Sequence, residues 1–172
     1  MVVCSQEMQS YFDSLKKEFD KAYGIAGQAR GRGFDPSETV EIIPAADAAT
    51  RVEGLVGPRG IAARIKELAS TGLKRDEVIQ EIMKEIMDGK WVFAEKEDGV
   101  KRVEQAVRTG LALFTEGVVS APIEGVSKVR LKKNADGSSY LAVYFAGPIR
   151  GAGGTGEAFV VVATDYCRQF IG

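Results

Sequence analysis

The sequence predicts an α+β protein that is mostly helical: an N-terminal helical arm and a helical hairpin packed with a small α-β-β-α domain. Three observations carry this prediction. Apolar residues recur at helical spacing along most of the chain. One stretch, Val126 to Phe145, alternates instead around the turn residues Asn134-Ala135-Asp136-Gly137. Five glycines lie between Gly147 and Gly156, at the junction of a strand and a helix. The expected division is an arm and linker over 1–56, a helical hairpin over 57–98, and the α-β-β-α domain with its glycine-rich loop over 99–172.

The arm is read from Met8, Tyr11, Phe12, Leu15, Phe19, Ala22, Tyr23 and Ala26, which share one helical stripe from Ser5 to about Arg30. Ser5 suits the N-cap, and Asp13, Lys16, Lys17, Asp20 and Lys21 take the opposite face. A stripe of bulky rings packs against something, so Phe12, Leu15 and Phe19 are candidates for docking a partner. Arg30 and Arg32 then stand among Gly24, Gly27, Gly31 and Gly33, a pattern that suits a solvated helix end better than a phosphate site. Phe34-Asp35-Pro36 begins an extended connection through Pro44, and alanine-rich Ala45 to Val56 is expected to form a short helix.

Gly57-Pro58 is expected to open the next helix, with Pro58 in its first turn. Its stripe is Ile61, Ala62, Ile65, Leu68 and Ala69, with Arg59, Arg64 and Lys66 elsewhere on its surface and Gly72 as C-terminal cap. A second helix follows, with Val78, Ile79, Ile82, Met83 and Ile86 inward and Gly89 as its stop. Such a hairpin resembles a helix-turn-helix DNA reader in outline, but Asp76, Glu77, Glu81 and Glu85 are expected on the exposed side, where phosphate would be repelled. Trp91-Val92-Phe93 is either a strand or a plug under the hairpin. Asp98 is expected to cap a helix carrying Val103, Ala106, Val107, Gly110, Leu111 and Phe114 as far as Gly117. Gly110 within it implies a close crossing with another backbone.

The β-hairpin places Val129, Leu131, Leu141, Val143 and Phe145 on one face and Lys128, Arg130 and Lys132 on the other, with Lys133 near the turn. Like charges gathered this way repel unless an anion relieves them, although a charged edge also deters aggregation. The final helix, Thr155 to about Phe170, contains Ala158 to Ala163 without a polar break and is expected to be buried on most sides. So buried an element two residues from the last one suggests a fragment whose partner sequence lies downstream.

The glycine loop has three readings. Arg150, Gly151, Gly153, Gly154 and Thr155 offer a cation and unpaired backbone N–H groups at a helix start, which suits a phosphate. Gly151 to Gly156 also matches G-x-G-x-x-G, the dinucleotide fingerprint of a nucleotide-cofactor enzyme. Against that, the incoming strand belongs to an antiparallel hairpin, and the acidic residue expected about twenty positions on has no place in the sequence. The third reading is a tight corner in which glycine only permits close packing.

Composition narrows the chemistry. The 172 residues carry a net charge of −1, so any polyanion site must be a local patch. There is no histidine, and the two cysteines, Cys4 and Cys167, are far apart. A histidine-based hydrolase or a zinc site is therefore not expected, nor is a catalytic group or metal site within this chain, and no cofactor is expected unless the glycine fingerprint holds a nucleotide. No basic-then-apolar leader and no apolar run of about 20 residues is present, so the expectation is a cytosolic protein without a membrane partner.

Tyr144-Phe145-Ala146-Gly147-Pro148-Ile149-Arg150-Gly151-Ala152-Gly153-Gly154-Thr155 closely resembles the large subunit of the archaeal family D DNA polymerases (the DNA polymerase II large subunit). Glu104 to Thr109, Leu113 to Gly125, Lys132 to Ser138 and the Tyr11-Phe12 helix resemble it too. This chain has Gly151 and Gly156-Glu157 where that family often has Ser and Ala-Gln. The resemblance implies an amino-terminal, non-catalytic region whose smaller domain is KH-like in outline. It implies a heterodimeric replicative enzyme with three partners for this region: DNA, the rest of the large subunit, and a small subunit carrying the 3′-to-5′ exonuclease. The polymerase carboxylates with their Mg ions, and the zinc-binding cysteines, would lie downstream. Three functional readings stand: a scaffold touching DNA phosphates through Arg150, the glycine loop and Lys128, Arg130 and Lys132; a nucleotide-cofactor enzyme; and a subunit-docking module using Phe12, Leu15 and Phe19.

Overall fold

The computed structural model describes residues 4–34, 45–92, 98–115, 125–151 and 154–171. Among them are six α-helices and one two-stranded antiparallel sheet: α1 (Gln6–Gly31), α2 (Ala48–Val56), α3 (Ile61–Ser70), α4 (Arg75–Met87), α5 (Gly99–Phe114), β1 (Val126–Lys133), β2 (Ser139–Phe145) and α6 (Thr155–Arg168). A 3-10 turn, Gly147–Gly151, joins β2 to the loop before α6. The architecture is therefore α+β and mostly helical. The chain divides into two compact units, Met1–Ile43 and Pro44–Gly172.

The first unit is α1. The Ser5 hydroxyl accepts from the Met8 N–H at 3.2 Å, satisfying one of the free donors of the first turn. The predicted bounds and cap hold. None of its residues is buried, and Met8, Tyr11, Phe12, Leu15 and Phe19 are all exposed.

The second unit is built around one core. Asp47 caps α2 through a reciprocal bond with Thr50, and its carboxyl is held far below the ordinary range, first by the Lys66 ammonium and then by Thr50. Glu53 from α2 reaches over to accept from the Ala62 N–H at 2.8 Å, so it serves the start of α3, where the cap position is a side-chain-less Gly60. Pro58 is not in the first turn of that helix: α3 begins at Ile61, and the turn before it passes through Gly60 at φ +88, a region glycine takes without strain. Trp91 is the plug rather than a strand, since a Cβ on Gly60 would sit 3.5 Å from its ring. Val92 is exposed and Phe93 lies outside the described residues.

Ile61, Ile65 and Leu68 of α3 meet Val78, Ile82 and Ile86 of α4, all buried; Ala69 is exposed instead of buried. A fully buried side chain of this size contributes about 1.5–3 kcal/mol. The α5 stripe of Val103, Ala106, Val107 and Leu111 closes the core from the other side, ending at Phe114 rather than Gly117. Arg75 at the start of α4 donates to the carbonyls of Leu113 and Phe114, filling acceptors that the end of α5 leaves open. Gly110 does mark a close approach, but to a side chain: a Cβ there would lie 2.7 Å from the Met83 sulfur. The Phe114 and Phe159 rings stack at 4.4 Å between α5 and α6.

Two expectations fail informatively. α6 buries only Val160, Ala163, Thr164 and Cys167, while Val161 and Val162 are 57% and 69% exposed. An unbroken apolar run does not make a helix buried all round when only one face meets the sheet and α5. Glu85, expected on the solvent side of α4, is 2% exposed. Seven residues on from Val78 it returns to the inward face. The Arg64 guanidinium grips it at 2.7 and 3.0 Å, and Lys90 adds a contact at 3.1 Å.

Burial pushes the Glu85 carboxyl up, but the bonds from Arg64 and Lys90 outweigh it and hold the group below the ordinary glutamate value. A depressed acid contributes stability above its unfolded value, and that contribution is lost as pH falls through the folded value. Glu85→Gln is therefore expected to cost about 1–3 kcal/mol at neutral pH, discounted from a fully buried pair because Arg64 keeps some solvent access. The gap between variant and parent should close as pH drops below the carboxylate range. Urea unfolding at both ends of that range checks it; a gap that widens in acid contradicts the assignment.

Candidate nucleic-acid interface

The hairpin is positioned by α5. Glu104 and Arg108, one turn apart and paired at 2.8 Å, both point at β1. Glu104 accepts from the Val129 N–H at 2.9 Å, and Arg108 donates to the carbonyls of Val126 at 2.9 Å and Ser127 at 2.7 Å. These bonds grip a register shift: Val126 pairs with Phe145, yet Lys128 pairs with Tyr144, so Ser127 is an extra residue. The shift explains why Val126 and Val129, three apart, are both buried. Strict alternation would have put Val126 with the lysines.

Beyond the bulge, Lys128, Arg130 and Lys132 stand opposite Tyr144, Ala142 and Tyr140 on one face. The other face carries Val129, Leu131, Leu141, Val143 and Phe145 toward α5 and α6. Leu131 is 54% exposed because the end of the ribbon extends past its helical cover. The turn closes through the Asn134 N–H to Ser138 carbonyl bond at 2.8 Å, with Gly137 at φ +86. The Asp136 carboxylate accepts from both the backbone and hydroxyl of Ser138, which holds it below its ordinary value.

The charge on this face is uncompensated. Arg64, Lys66, Lys84, Lys90, Arg108 and Arg168 each lie within 3.1 Å of a carboxylate. Among the described residues, Lys128, Arg130, Lys132 and Lys133 meet none. Tyr144 takes up part of the field: the Lys128 and Lys132 ammoniums lie 4.8 and 5.4 Å from its ring centre. The adjacent Lys132 ammonium holds the Tyr144 phenol below its ordinary value, with Arg130 and Lys128 adding to the effect, and the phenol in turn raises Lys132.

The glycine loop sits at the other end of the ribbon. Ile149, 1% exposed, anchors the 3-10 turn in the core and leaves Arg150 exposed. Gly154 starts α6 at φ +83, and Thr155 is its first residue. Ala152 and Gly153 lie outside the described residues, so the Gly153 candidate is not placed. The strand entering the loop is antiparallel to its neighbour, and the parallel unit that the dinucleotide fingerprint requires is absent among the described residues. Tyr140, the partner of Lys132, is five residues from the end of β2, or about 17 Å at strand rise. The structure thus separates Arg150 and the start of α6 from Lys132 along the ribbon.

The sequence reading missed the two tyrosines, the bulge and the Glu104–Arg108 clamp. Glu and Arg four apart on one helix face was a readable signal; that its target is a strand was not. Among the described residues no three acidic or cysteine side chains are grouped to hold a metal ion. Cys4 is exposed and Cys167 buried; burial pushes the Cys167 thiol up to about 12.

Replacing Arg108 by Met keeps the aliphatic stem but frees two strand carbonyls and unpairs Glu104. A loss of about 1.5–3 kcal/mol is expected, the range for hydrogen bonds to charged groups. It should appear as faster hydrogen exchange at the Val129 amide than at Ile82 in the core. Equal protection at both positions would show that the clamp does not hold the hairpin.

Residues 10–172 match a family model described as DNA polymerase II large subunit DP2, N-terminal. The DNA polymerase II large subunit of Thermococcus kodakarensis is 50% identical over 172 residues, which cover 99% of this chain and 9% of that protein. That of Pyrococcus horikoshii is 52% identical over 169 residues, covering 97% and 12%. That of Methanothermobacter thermautotrophicus is 52% identical over 165 residues, covering 96% and 15%. The chain thus spans about a tenth of the length of the curated relatives it matches.

Proposed function

The chain belongs to the family of amino-terminal domains of the archaeal DNA polymerase II large subunit, and on that premise we propose that it is a non-catalytic part of a replicative DNA polymerase that contacts nucleic-acid phosphates. The single observation that carries the contact is the outer face of β1–β2, where Lys128, Arg130, Lys132 and Lys133 gather on one ribbon without the carboxylates that match Arg64, Lys66, Lys84, Lys90, Arg108 and Arg168. In a protein of net charge −1, that face is where a polyanion gains most. Arg150 and the start of α6 add a second point of contact at the open end of the ribbon.

The chemistry of nucleotide addition, its divalent ions and the 3′-to-5′ exonuclease belong, on this reading, to other parts of the assembly. Nucleotidyl transfer needs carboxylates free to hold two metal ions. Buried Glu85 is engaged by Arg64, and half-buried Glu53 and Glu104 serve the Ala62 amide and Arg108 with the Val129 amide.

A second role rests on α1. Met8, Tyr11, Phe12, Leu15 and Phe19 form an exposed stripe on a helix that buries none of its residues. Such a stripe suits docking onto the rest of the large subunit or onto the small subunit.

Each phosphate neutralised on duplex DNA contributes about −0.9 to the slope of log affinity against log salt. Three or four contacts give a slope of about −3, and Arg130→Glu is expected to flatten it by about 1 or more while weakening binding across all sequences. Anisotropy of labelled duplex at several salt concentrations measures this; a slope near zero, or one unmoved by the reversal, removes the phosphate role. Phe12→Asp is expected to weaken association with the remaining large subunit or the small subunit by about thirtyfold, as loss of an aromatic anchor does. Affinity unchanged in titrations against both would leave α1 without the docking role.

A further inference from the structure

Of the two tyrosines on the cationic face, only one is occupied. Tyr144 is half-buried and carries the Lys128 and Lys132 ammoniums against its ring. Tyr140, opposite Lys132 and two residues beyond Ala142, is 39% exposed, and among the described residues no ring or cation packs on it. The small Ala142 leaves the Arg130 guanidinium open beside it. An exposed ring flanked by cations without carboxylate partners is the pairing of features that binds unpaired bases, whose faces stack on an aromatic while their phosphates meet the charge.

We propose that this face takes single-stranded nucleic acid, an unpaired base stacking on Tyr140 with the neighbouring phosphates on Arg130, Lys132 and Lys133. The proposal rests on the phosphate-contact reading and adds the kind of strand. A duplex has no free base face to offer Tyr140. A two-stranded ribbon can also enter a major groove, but this one has its inner face covered by α5 and α6 through Val129 and Val143, and only its tip around Leu131 stands clear. A platform covered on one side suits a strand laid across it better than a groove closed around it.

The test compares a labelled oligothymidylate with a duplex of the same length on the 172-residue chain, by fluorescence anisotropy. Tighter binding to oligothymidylate is expected. Tyr140→Ala should weaken it about 5- to 150-fold, the range for losing one base–aromatic stack, and leave duplex binding unchanged. Tyr140→Phe should behave as the parent. Tyr140→Ile, which keeps strand preference and bulk without a π face, should behave as Tyr140→Ala and decides the matter if the alanine variant does not fold. The platform is wrong if the parent prefers duplex, or if removing the ring changes both ligands equally or neither, while Arg130→Glu still abolishes binding. If Arg130→Glu affects neither ligand, the phosphate reading itself fails and the platform with it.

Discussion

The grip of Glu104 and Arg108 on the start of β1 is the constraint from which the rest of the interface follows. One helical turn presents an acceptor to a strand amide and a forked donor to two strand carbonyls. A register shift is thereby held in place at Ser127, and its effect is a change of phase. Val126 can enter the core while the next alternation runs Lys128, Arg130, Lys132 outward. Without the extra residue, one of those two demands would have to give way, because side chains alternate strictly along a regular strand.

Charge is handled differently in the two layers. Several cations of the helical core are neutralised locally: Arg64 with Glu85 across α3 and α4, Lys66 with Asp47, Arg168 with Asp165. Among the described residues, the ribbon leaves its cations facing solvent and each other, with the π face of Tyr144 as their relief. That arrangement costs self-repulsion in the free protein, which a bound polyanion would remove. It also shows how a weakly acidic chain can hold a strongly basic surface: among the described residues, no carboxylate pairs with the ribbon cations.

The buried pair of Arg64 and Glu85 has a separate role. It joins α3 to α4 where the apolar contacts of Ile65 and Ile82 already hold them, so its two groups fix the rotation of one helix on the other. A carboxylate at that depth is tolerable because three donor contacts from Arg64 and one from Lys90 replace its water. Arg64 is thus held within the fold, and the hairpin of α3 and α4 has one cation fewer to offer a groove.

The elements themselves were legible in the sequence, because they are set by local periodicity and by short-range capping. Ser5 and Asp98 cap the helices they were expected to cap, Gly89 ends α4, and the ribbon turns at Asn134 to Gly137. The cationic residues of the ribbon were legible too, since a period of two can be counted. What only the tertiary structure decided is everything that depends on a partner distant in sequence. Glu85 is buried because α3 brings Arg64 to it, Val161 and Val162 are exposed because none of the described residues covers that side of α6, and Tyr144 is capped while Tyr140 is open because the Lys128 and Lys132 ammoniums both lie against the Tyr144 ring. Spacing along one chain says which residues share a face; which faces are covered, and by what charge, is fixed only when separate elements meet.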